Sequence, residues 1–249
     1  MSEESVLDRK VYMIPEAGNL LGVHQNTLRY WLHGQRGQRR AEPVLRQERL
    51  IDDKLLSWGE FIEAGHLVAY RRMDASLQQL RDYVGDWRDS EGIPYPLAHL
   101  KPYVGPAREL LDHSPDGAAW RHRDGQHQIA PHAAFRSEVE FIPPGSPSRE
   151  QLVSVAAFAS RIDFDGDTAI CYWPAGRDIG VVVDPVLKAG CPVIEGTATT
   201  TRTIYGFNKG GDSAEYLADV YDLSVGQVKE AVRFEKKLRS RQITACVAA

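Results

Sequence analysis

A group of hydrogen-bonding side chains stands near the start of this 249-residue chain, between Gly22 and Arg40. Gln and Asn side chains pair bidentately with adenine, and Arg pairs with guanine or with phosphate. The side chains that one short helix would present for such contacts are Gln25, Asn26, Thr27, Arg29 and Tyr30. The arginines that follow are Arg36, Arg39 and Arg40, and a flexible basic segment can follow a phosphate backbone. These residue types predict contact with DNA.

Two short helices would have to position those side chains. Apolar residues recur at helical spacing in the first, at Ile14, Ala17, Leu20 and Leu21, and in the second, at Leu28, Trp31 and Leu32. Pro15 suits a first helical turn, and Gly22 suits the left-handed residue at a helix end. Two helices joined by a Gly-containing turn form a helix-turn-helix, whose second helix enters the major groove by its first turn.

A second interpretation of the same pattern stays open. The two helices are then a hairpin buried in a larger domain, and the arginine-rich segment is a solvated loop. That segment also holds Arg46 and Arg49, with only Glu42 and Glu48 opposing them. Helix-turn-helix pairs also occur in proteins that never contact DNA, so the pattern alone does not choose between the two.

The stretch IPEAGNLLGVHQNTLRYW resembles the first helix-turn-helix of MerR-type transcription regulators. The matching residues are Pro15, Glu16, Ala17, Leu21, Gly22, Val23 and the run from Thr27 to Trp31. The resemblance implies a winged helix-turn-helix head that reads DNA. Two residues depart from the pattern: His24, where Ser or Thr is usual, and Gly18, often Ala. Histidine is a weaker helix cap, so we expect the second helix to use a different capping group.

The middle of the chain is predicted to continue as helices to about residue 90. Ser57 and Ser76 stand three residues before Glu60 and Gln79, which is the spacing of a capping box. A series of prolines then excludes a long helix. The Asp-Gly pairs in WRHRDGQHQI and SRIDFDGDTAICYW are typical of β-hairpins. We therefore expect a small β element there.

Apparent metal and catalytic motifs in the chain do not meet the chemical requirements. Asp163, Asp165 and Asp167 resemble the start of a calcium loop, but Thr168 and Pro174 occupy the positions that need Gly and Glu. The histidines of the middle segment match no zinc-ligand spacing; they are His113, His122, His127 and His132. Hydrolase, P-loop and zinc-protease motifs are absent, so we expect no enzymatic activity, metal or cofactor. The run GFNKGG is predicted to be a loop.

The carboxy-terminal part is predicted to hold short strands and a second helix-turn-helix-like unit. VVVDP is an apolar strand pattern, and CPVIEGTATTTRTIYGF is rich in β-branched residues. Asp212 with Glu215, and Ser224 with Gln227, have capping-box spacing before two apolar helices. Those helices could also be only a packing scaffold, because the first turn of the last helix is not basic.

This second unit resembles family DUF433, in which a Gly-x-Pro-x-Ile/Val-x-Gly-Thr strand precedes a capped helix, Leu-Ser and a valine-rich helix. The matching residues are Gly190, Pro192, Ile194, Gly196, Thr197, Leu223, Ser224, Val228 and Ala231. A MerR-like head followed by this tail is similar to the larger VapB-type antitoxins. The resemblance implies a type II toxin–antitoxin pair, operator binding as an autorepressor, and a PIN-domain ribonuclease toxin as partner.

The basic end of the last helix is the predicted toxin-binding segment. Its candidate contacts are Arg233, Lys237, Arg239 and Arg241. PIN enzymes, as the resemblance implies, hold a metal with carboxylates, and an arginine fork meets a carboxylate bidentately. The alternative is a solvated cationic helix end that complements the helix dipole.

Composition sets the remaining expectations. A net charge of -4 does not reveal a basic patch, because acidic parts can mask it. Three cysteines and a polar start favour a cytoplasmic protein.

We predict an α+β fold with a DNA-binding head (1–104), a central β-containing segment (105–178) and an antitoxin-like tail (179–249). A homodimer is expected, because one short recognition helix makes few contacts. The alternative function is a MerR-type regulator that senses a small molecule.

Overall fold

The structure is a computed structural model that describes residues 5–35, 42–46, 54–72, 75–99, 158–166 and 168–247, together with four short strands between 103 and 131. For those four strands, and for 90–91, 99 and 242–247, only the backbone is described. None of the described helices is both long enough and apolar enough to span a membrane.

The predicted first helix-turn-helix is present. Helix α1 (Ile14–Leu21) has Pro15 in its first turn and ends at Gly22, whose φ of 67° is left-handed as predicted. Helix α2 (Gln25–His33) follows. Strand β1 (Lys10–Met13) precedes α1 and pairs antiparallel with β2 (Leu55–Ser57).

His24 caps α2 itself, so the expectation of a different capping group is wrong. Its Nδ1 accepts a hydrogen bond from the Asn26 N–H at 3.2 Å. The His24 carbonyl also accepts from the N–H groups of Thr27 and Leu28. An imidazole nitrogen therefore does here what a serine hydroxyl usually does at a helix start.

The helices of the middle region begin where their capping boxes predict. Helix α3 (Trp58–Arg72) starts after Ser57, and helix α4 (Leu77–Glu91) starts after Ser76. Both serines exchange hydrogen bonds with the residue three positions later. A short helix α5 (Pro96–His99) lies in the proline-rich stretch that was predicted to exclude a long helix.

The small β element is confirmed: Asp165 and Gly166 lie in a hairpin, whereas Asp124 and Gly125 lie outside the described residues, between two strands that pair with each other. Strands β3 (Tyr103–Val104), β4 (Leu110–His113), β5 (Ala119–His122) and β6 (Gln128–Pro131) form one antiparallel sheet in that order. Strands β7 (Ile162–Asp165) and β8 (Thr168–Tyr172) form a separate hairpin.

The tail contains two short strands and three helices. Strand β9 (Val181–Val182) pairs with β10 (Val193–Ile194), and helices α6 (Thr201–Gly210), α7 (Ala214–Tyr221) and α8 (Val225–Val247) follow. Their shared core consists of Ile194, Ile204, Leu217, Ala218, Val228, Ala231 and Val232. The second helix-turn-helix-like unit is therefore confirmed as α7 and α8.

Three local predictions in the tail are wrong. The β-branched run after β10 becomes helix α6 at Thr201, because the Thr200 hydroxyl accepts from the Thr203 N–H and starts a helix. The run GFNKGG is consequently not a loop, since all but its last glycine belong to α6. The cap of α7 is Ser213, one residue after the predicted Asp212, and its hydroxyl accepts from the Tyr216 N–H.

The chain divides into two compact units, each built from separated stretches: 1–28, 53–61 and 161–249 form the first, and 29–52 and 62–160 the second. The first unit has an aromatic cluster in which Phe61 lies 4.7 Å from Tyr12, 5.4 Å from Trp58 and 5.6 Å from Tyr172, measured between ring centroids. The Trp58 indole donates to the Ala169 carbonyl at 2.7 Å. The architecture is α+β, as predicted.

Candidate functional site

The first turn of α2 presents polar side chains at the surface. Asn26, Thr27 and Arg29 are exposed, and Gln25 and Tyr30 are half-buried. The buried residues of the same helix are Leu28, Trp31 and Leu32, as the helical spacing predicts. The face that was predicted to read DNA is thus turned outward, and its role in binding stays a prediction.

The basic segment behind α2 is described only in part. Arg36, Arg39, Arg40 and Arg49 lie outside the described residues. Arg46 is described and is 6% exposed, so its assignment to a solvated basic arm is wrong. It lies in the stretch 42–46, most of which is buried.

The two helix-turn-helix units have the same turn. In the first, Gly22 is left-handed and the Val23 N–H donates to the Gly18 carbonyl at 2.9 Å. In the second, Asp222 is left-handed with φ 52°, and the Leu223 N–H donates to the Ala218 carbonyl at 2.9 Å. Such a return bond satisfies a carbonyl at the helix end and reverses the chain.

The next helix starts in the same way in both units. His24 caps α2, and Ser224 caps α8 by accepting from the Gln227 N–H at 3.1 Å while Gln227 accepts from the Ser224 N–H. The correspondence is position by position, because α1 covers 14–21 and α7 covers 214–221. Apolar residues are buried at matching places: Leu28, Trp31 and Leu32 in α2, and Val228, Ala231 and Val232 in α8.

The outward faces of the second helices differ in chemistry. Where α2 has Gln25 and Asn26 in its first turn, α8 has Val225 and Gly226, which cannot hydrogen-bond to a base edge through a side chain. Arg29 corresponds to Lys229, and both are exposed. The second unit therefore keeps the turn but lacks base-reading residue types at its first two helical positions, and the side-chain oxygen of Gln227 in the same turn accepts from the Ser224 N–H.

Three of the four predicted toxin-binding residues differ in their surroundings. Arg233 is 74% exposed and pairs with Glu230 at 2.8 Å. Lys237 is exposed, and its carbonyl accepts from the Ser240 hydroxyl. Arg239 lies 4.7 Å from the centre of the Tyr205 ring, with its Nε 3.8 Å from a carboxylate oxygen of Glu235.

Arg241 connects the last helix to the first helix-turn-helix. Its Nη1 donates to the Asn19 carbonyl at 3.2 Å, in the last turn of α1, where a cation complements the helix dipole. The guanidinium also lies beside Gly22. Sequence reasoning missed this contact, since it joins residues far apart in the chain and leaves no local pattern.

A shallow groove of about 270 Å³ runs along α8 where this helix meets residues of α6 and α7. It is lined by Asn208, Ala214, Val228, Lys229, Val232, Arg233 and Lys236. The cations repeat every three or four positions, so they lie on one face of the helix. Sequence reasoning identified the basic end of α8 but not this groove, because its apolar lining comes from the pairing of three helices.

The chain that returns after α2 is held by a buried ion pair in the second unit. The N–H groups of Val44 and Leu45 donate to the Trp31 carbonyl, and the Arg88 guanidinium donates to both of their carbonyls. Arg88 also contacts Glu63 at 3.0 Å, with their side chains 5% and 0% exposed. The remaining Glu63 oxygen accepts from the Leu97 N–H. Nothing in the local sequence around Arg88 predicted this role.

Gly190 lies in a strained loop whose close packing leaves no space for a side chain at this position. Lys188, Ala189 and Gly190 all have left-handed φ values, and the Tyr12 hydroxyl donates to the Gly190 carbonyl at 2.6 Å. A Cβ on Gly190 would lie 2.2 Å from a Val11 methyl carbon. Burial, and then the nearby Cys191, Glu16 and Tyr172, hold the pKa of Tyr12 well above its usual value, so the hydroxyl stays a donor.

The described residues offer no metal centre, and the Cys171 thiol is not activated. No group of three or more His, Cys, Asp or Glu side chains among them is arranged to hold a metal ion. Burial, then the charges of Asp184 and Asp163, raise the pKa of Cys171 to about 11. Such a thiol is protonated at neutral pH, and thiolate is the reactive form.

Residues 181–234 match the family DUF433, described as a protein of unknown function. This match confirms the predicted resemblance of the tail. Over 249 residues, the chain is 27% identical to the uncharacterized protein Rv2308 of Mycobacterium tuberculosis, with 98% of each chain covered. Over 237 residues, it is 24% identical to the putative antitoxin VapB45 of the same organism, covering 90% of this chain and 93% of the relative.

One solved structure has a similar fold. The crystal structure of Rv2018 from Mycobacterium tuberculosis superimposes with a TM-score of 0.57 at 21% sequence identity, covering 92% of this chain and all of the other. At that identity the similarity concerns the fold alone. The resemblance of the head to MerR-type regulators stays a prediction.

Proposed function

We propose that this protein is the antitoxin of a type II toxin–antitoxin pair. The observation that carries the proposal is the match to the putative antitoxin VapB45 along nearly the whole of both chains. The DUF433 match of the tail agrees with the same assignment. The proposed activities are autorepression through the head and neutralisation of a PIN-domain ribonuclease by the tail.

Operator binding is assigned to the first helix-turn-helix. The exposed first turn of α2 supports this assignment, because its Asn26 and Arg29 are residue types that read base edges. The basic segment with Arg36, Arg39 and Arg40 would contact phosphates. We expect a homodimer on a two-fold operator, since a single nine-residue helix makes too few contacts for tight specific binding.

Toxin neutralisation is assigned to the tail because its last helix presents cations to solvent. Arg233 and Lys237 are exposed, which supports the prediction that they meet carboxylates of the partner. Arg239 and Arg241 have partners within the chain, so a role in toxin binding would require them to exchange those contacts.

The test is to express the full chain with the protein encoded by the neighbouring reading frame and to identify what co-purifies by mass spectrometry. We expect a stoichiometric complex with a PIN-domain ribonuclease whose RNA cleavage is inhibited. We also expect each preparation to bind DNA from the protein's own promoter. Promoter binding that depends on an added small molecule, with no protein partner, would instead favour the regulator that senses a small molecule.

The oligomeric prediction has its own test. Light scattering of the free protein should give the mass of a dimer, and footprinting should show two half-sites related by a two-fold axis. A monomer at micromolar concentration that protects one half-site would contradict it.

A further inference from the structure

We propose that the groove along α8 binds an acidic segment of a partner protein that carries an apolar side chain between carboxylates. The groove is defined by Lys229, Arg233 and Lys236 at its rim and by Val228, Val232 and Ala214 along its floor. This assignment rests on the proposed antitoxin role and specifies the chemistry of the partner. It moves the centre of the binding surface away from the arginines at the end of α8.

The charge of the rim selects an anionic occupant. Lys229 and Lys236 are exposed and form no hydrogen bond or ion pair with the part of the chain that the structure describes. Arg233 pairs with Glu230, but an exposed pair of this kind contributes little and exchanges readily with another carboxylate. Three of the residues that line the groove are cations and none is a carboxylate, so the lining itself is positively charged.

The floor of the groove selects a protein segment rather than a nucleic-acid backbone. Val228 and Val232 are buried, and Ala214 is half-buried, so the bottom of the groove is apolar between the cations. A volume of about 270 Å³ suits one inserted side chain, and anchors of this kind in a pocket carry much of the affinity of protein interfaces. Phosphates would use the rim but would leave the floor uncovered.

The comparison of the two helix-turn-helix units supports the same choice. A DNA-reading role would place the first turn of α8 in the major groove, where Val225 and Gly226 offer no side-chain hydrogen bonds to bases and the Gln227 side chain is already bonded to the Ser224 N–H. The cations of α8 begin only at Lys229 and continue along the middle of the helix. That position suits contact with a segment lying along the helix.

The end of α8 is less suited to bind a partner. Arg239 is stacked on Tyr205 and lies close to Glu235, which itself accepts from the Thr201 hydroxyl at 2.7 Å. Arg241 is bonded to α1. Recruiting either arginine would break contacts that hold α8 in place, whereas binding at the rim of the groove requires only the exchange of the exposed Arg233–Glu230 pair.

The experiment measures binding of fluorescein-labelled peptides to the full chain by anisotropy. The probes are a glutamate-rich peptide with one central leucine, the same peptide with serine at that position, and a random-sequence DNA duplex. We expect saturable binding of the leucine peptide and about tenfold weaker binding of the serine peptide, because the leucine no longer fills the floor. The DNA duplex should not displace the bound peptide.

Matched charge reversals locate the site. K229E/K236E should weaken the binding of the leucine peptide by about tenfold or more, since two attractive charges become repulsive. The control K54E/R202E changes the net charge equally at exposed positions outside the groove and should leave binding within about twofold. Circular dichroism checks that each variant is folded, and K229Q/K236Q replaces the reversal if that variant unfolds.

Several results would overturn the proposal: no saturable binding of the leucine peptide, equal loss in both double variants, or displacement of the peptide by duplex DNA. The last result would identify the groove as a nucleic-acid surface. No ribonuclease and no promoter DNA are used here, so a failure of the antitoxin role is detected separately, by the co-purification experiment.

Discussion

The two helix-turn-helix units share their turn and differ in what they present to solvent. Each has an eight-residue first helix, a left-handed residue, an apolar residue whose N–H returns to the first helix, and a side-chain cap on the second helix. The first unit shows Asn26 and Arg29 at the surface of a short helix. The second shows a basic groove along a helix of 23 residues.

The same turn geometry thus occurs with two different sets of outward-facing side chains. Buried apolar residues and left-handed turn positions are needed by both units in order to fold, whereas the exposed positions at the start of the second helix are not constrained by that packing. The turns also differ in how closely the returning chain approaches the first helix. A Cβ on Gly18 would lie 2.8 Å from the Val23 carbonyl oxygen, but the second unit has Ala218 at the matching position.

The largest expected effect concerns the buried ion pair that holds the chain after α2. Arg88→Met should destabilise the protein by about 3–5 kcal/mol, because it leaves the Glu63 carboxylate buried without a cation. Urea denaturation measures this. Arg81→Met on the same helix is the control, since Arg81 is half-buried and bonds only Gln78 and the Glu42 carbonyl among the described contacts. Equal stability losses in the two variants would contradict the assigned role of Arg88.

The next effect separates the two outward faces. Asn26→Ala should reduce discrimination between promoter and random DNA by about 1–3 kcal/mol if Asn26 pairs with a base. Gln227→Ala, in the first turn of α8, should leave that discrimination unchanged.

Changing Arg39 and Arg40 together to Ala should weaken binding to promoter DNA and to random DNA alike, and should reduce the salt dependence of binding. Competition binding at two salt concentrations distinguishes these outcomes, and unchanged binding by the double variant would refute the basic-arm contact.

The smallest expected effect is the change in stability on substitution of the two left-handed turn residues. Gly22→Ala should destabilise the protein by about 1 kcal/mol, because a side chain is strained at a φ of 67°. Asp222→Gly relieves the same strain at φ 52°, but glycine also gains conformational freedom in the unfolded chain. Because the two effects oppose each other, we expect the free energy of unfolding to change by less than about 0.5 kcal/mol. Thermal unfolding of both variants measures the contrast, and a larger loss in Asp222→Gly would show that the aspartate side chain stabilises the turn.

The sequence predicted those features that depend on neighbours in the chain. Helical spacing predicted the buried face of α2, the capping boxes predicted the starts of α3, α4 and α8, and the Asp-Gly pairs predicted two hairpins. Features that join distant residues were missed. The groove needs α6, α7 and α8 together, and the Arg88–Glu63 pair and the Arg241–Asn19 bond have no local signal. The helix α6 was missed because its threonines favour strands, while the Thr200 cap starts a helix.

The central claim is that the first unit binds DNA and the second binds protein. One titration of promoter DNA tests it most directly, with wild type, N26A/R29A and K229E/K236E measured side by side at the same salt concentration. We expect N26A/R29A to lose at least about tenfold in affinity for promoter DNA and K229E/K236E to stay within about threefold of wild type. Loss of DNA binding in K229E/K236E together with full binding by N26A/R29A would contradict it.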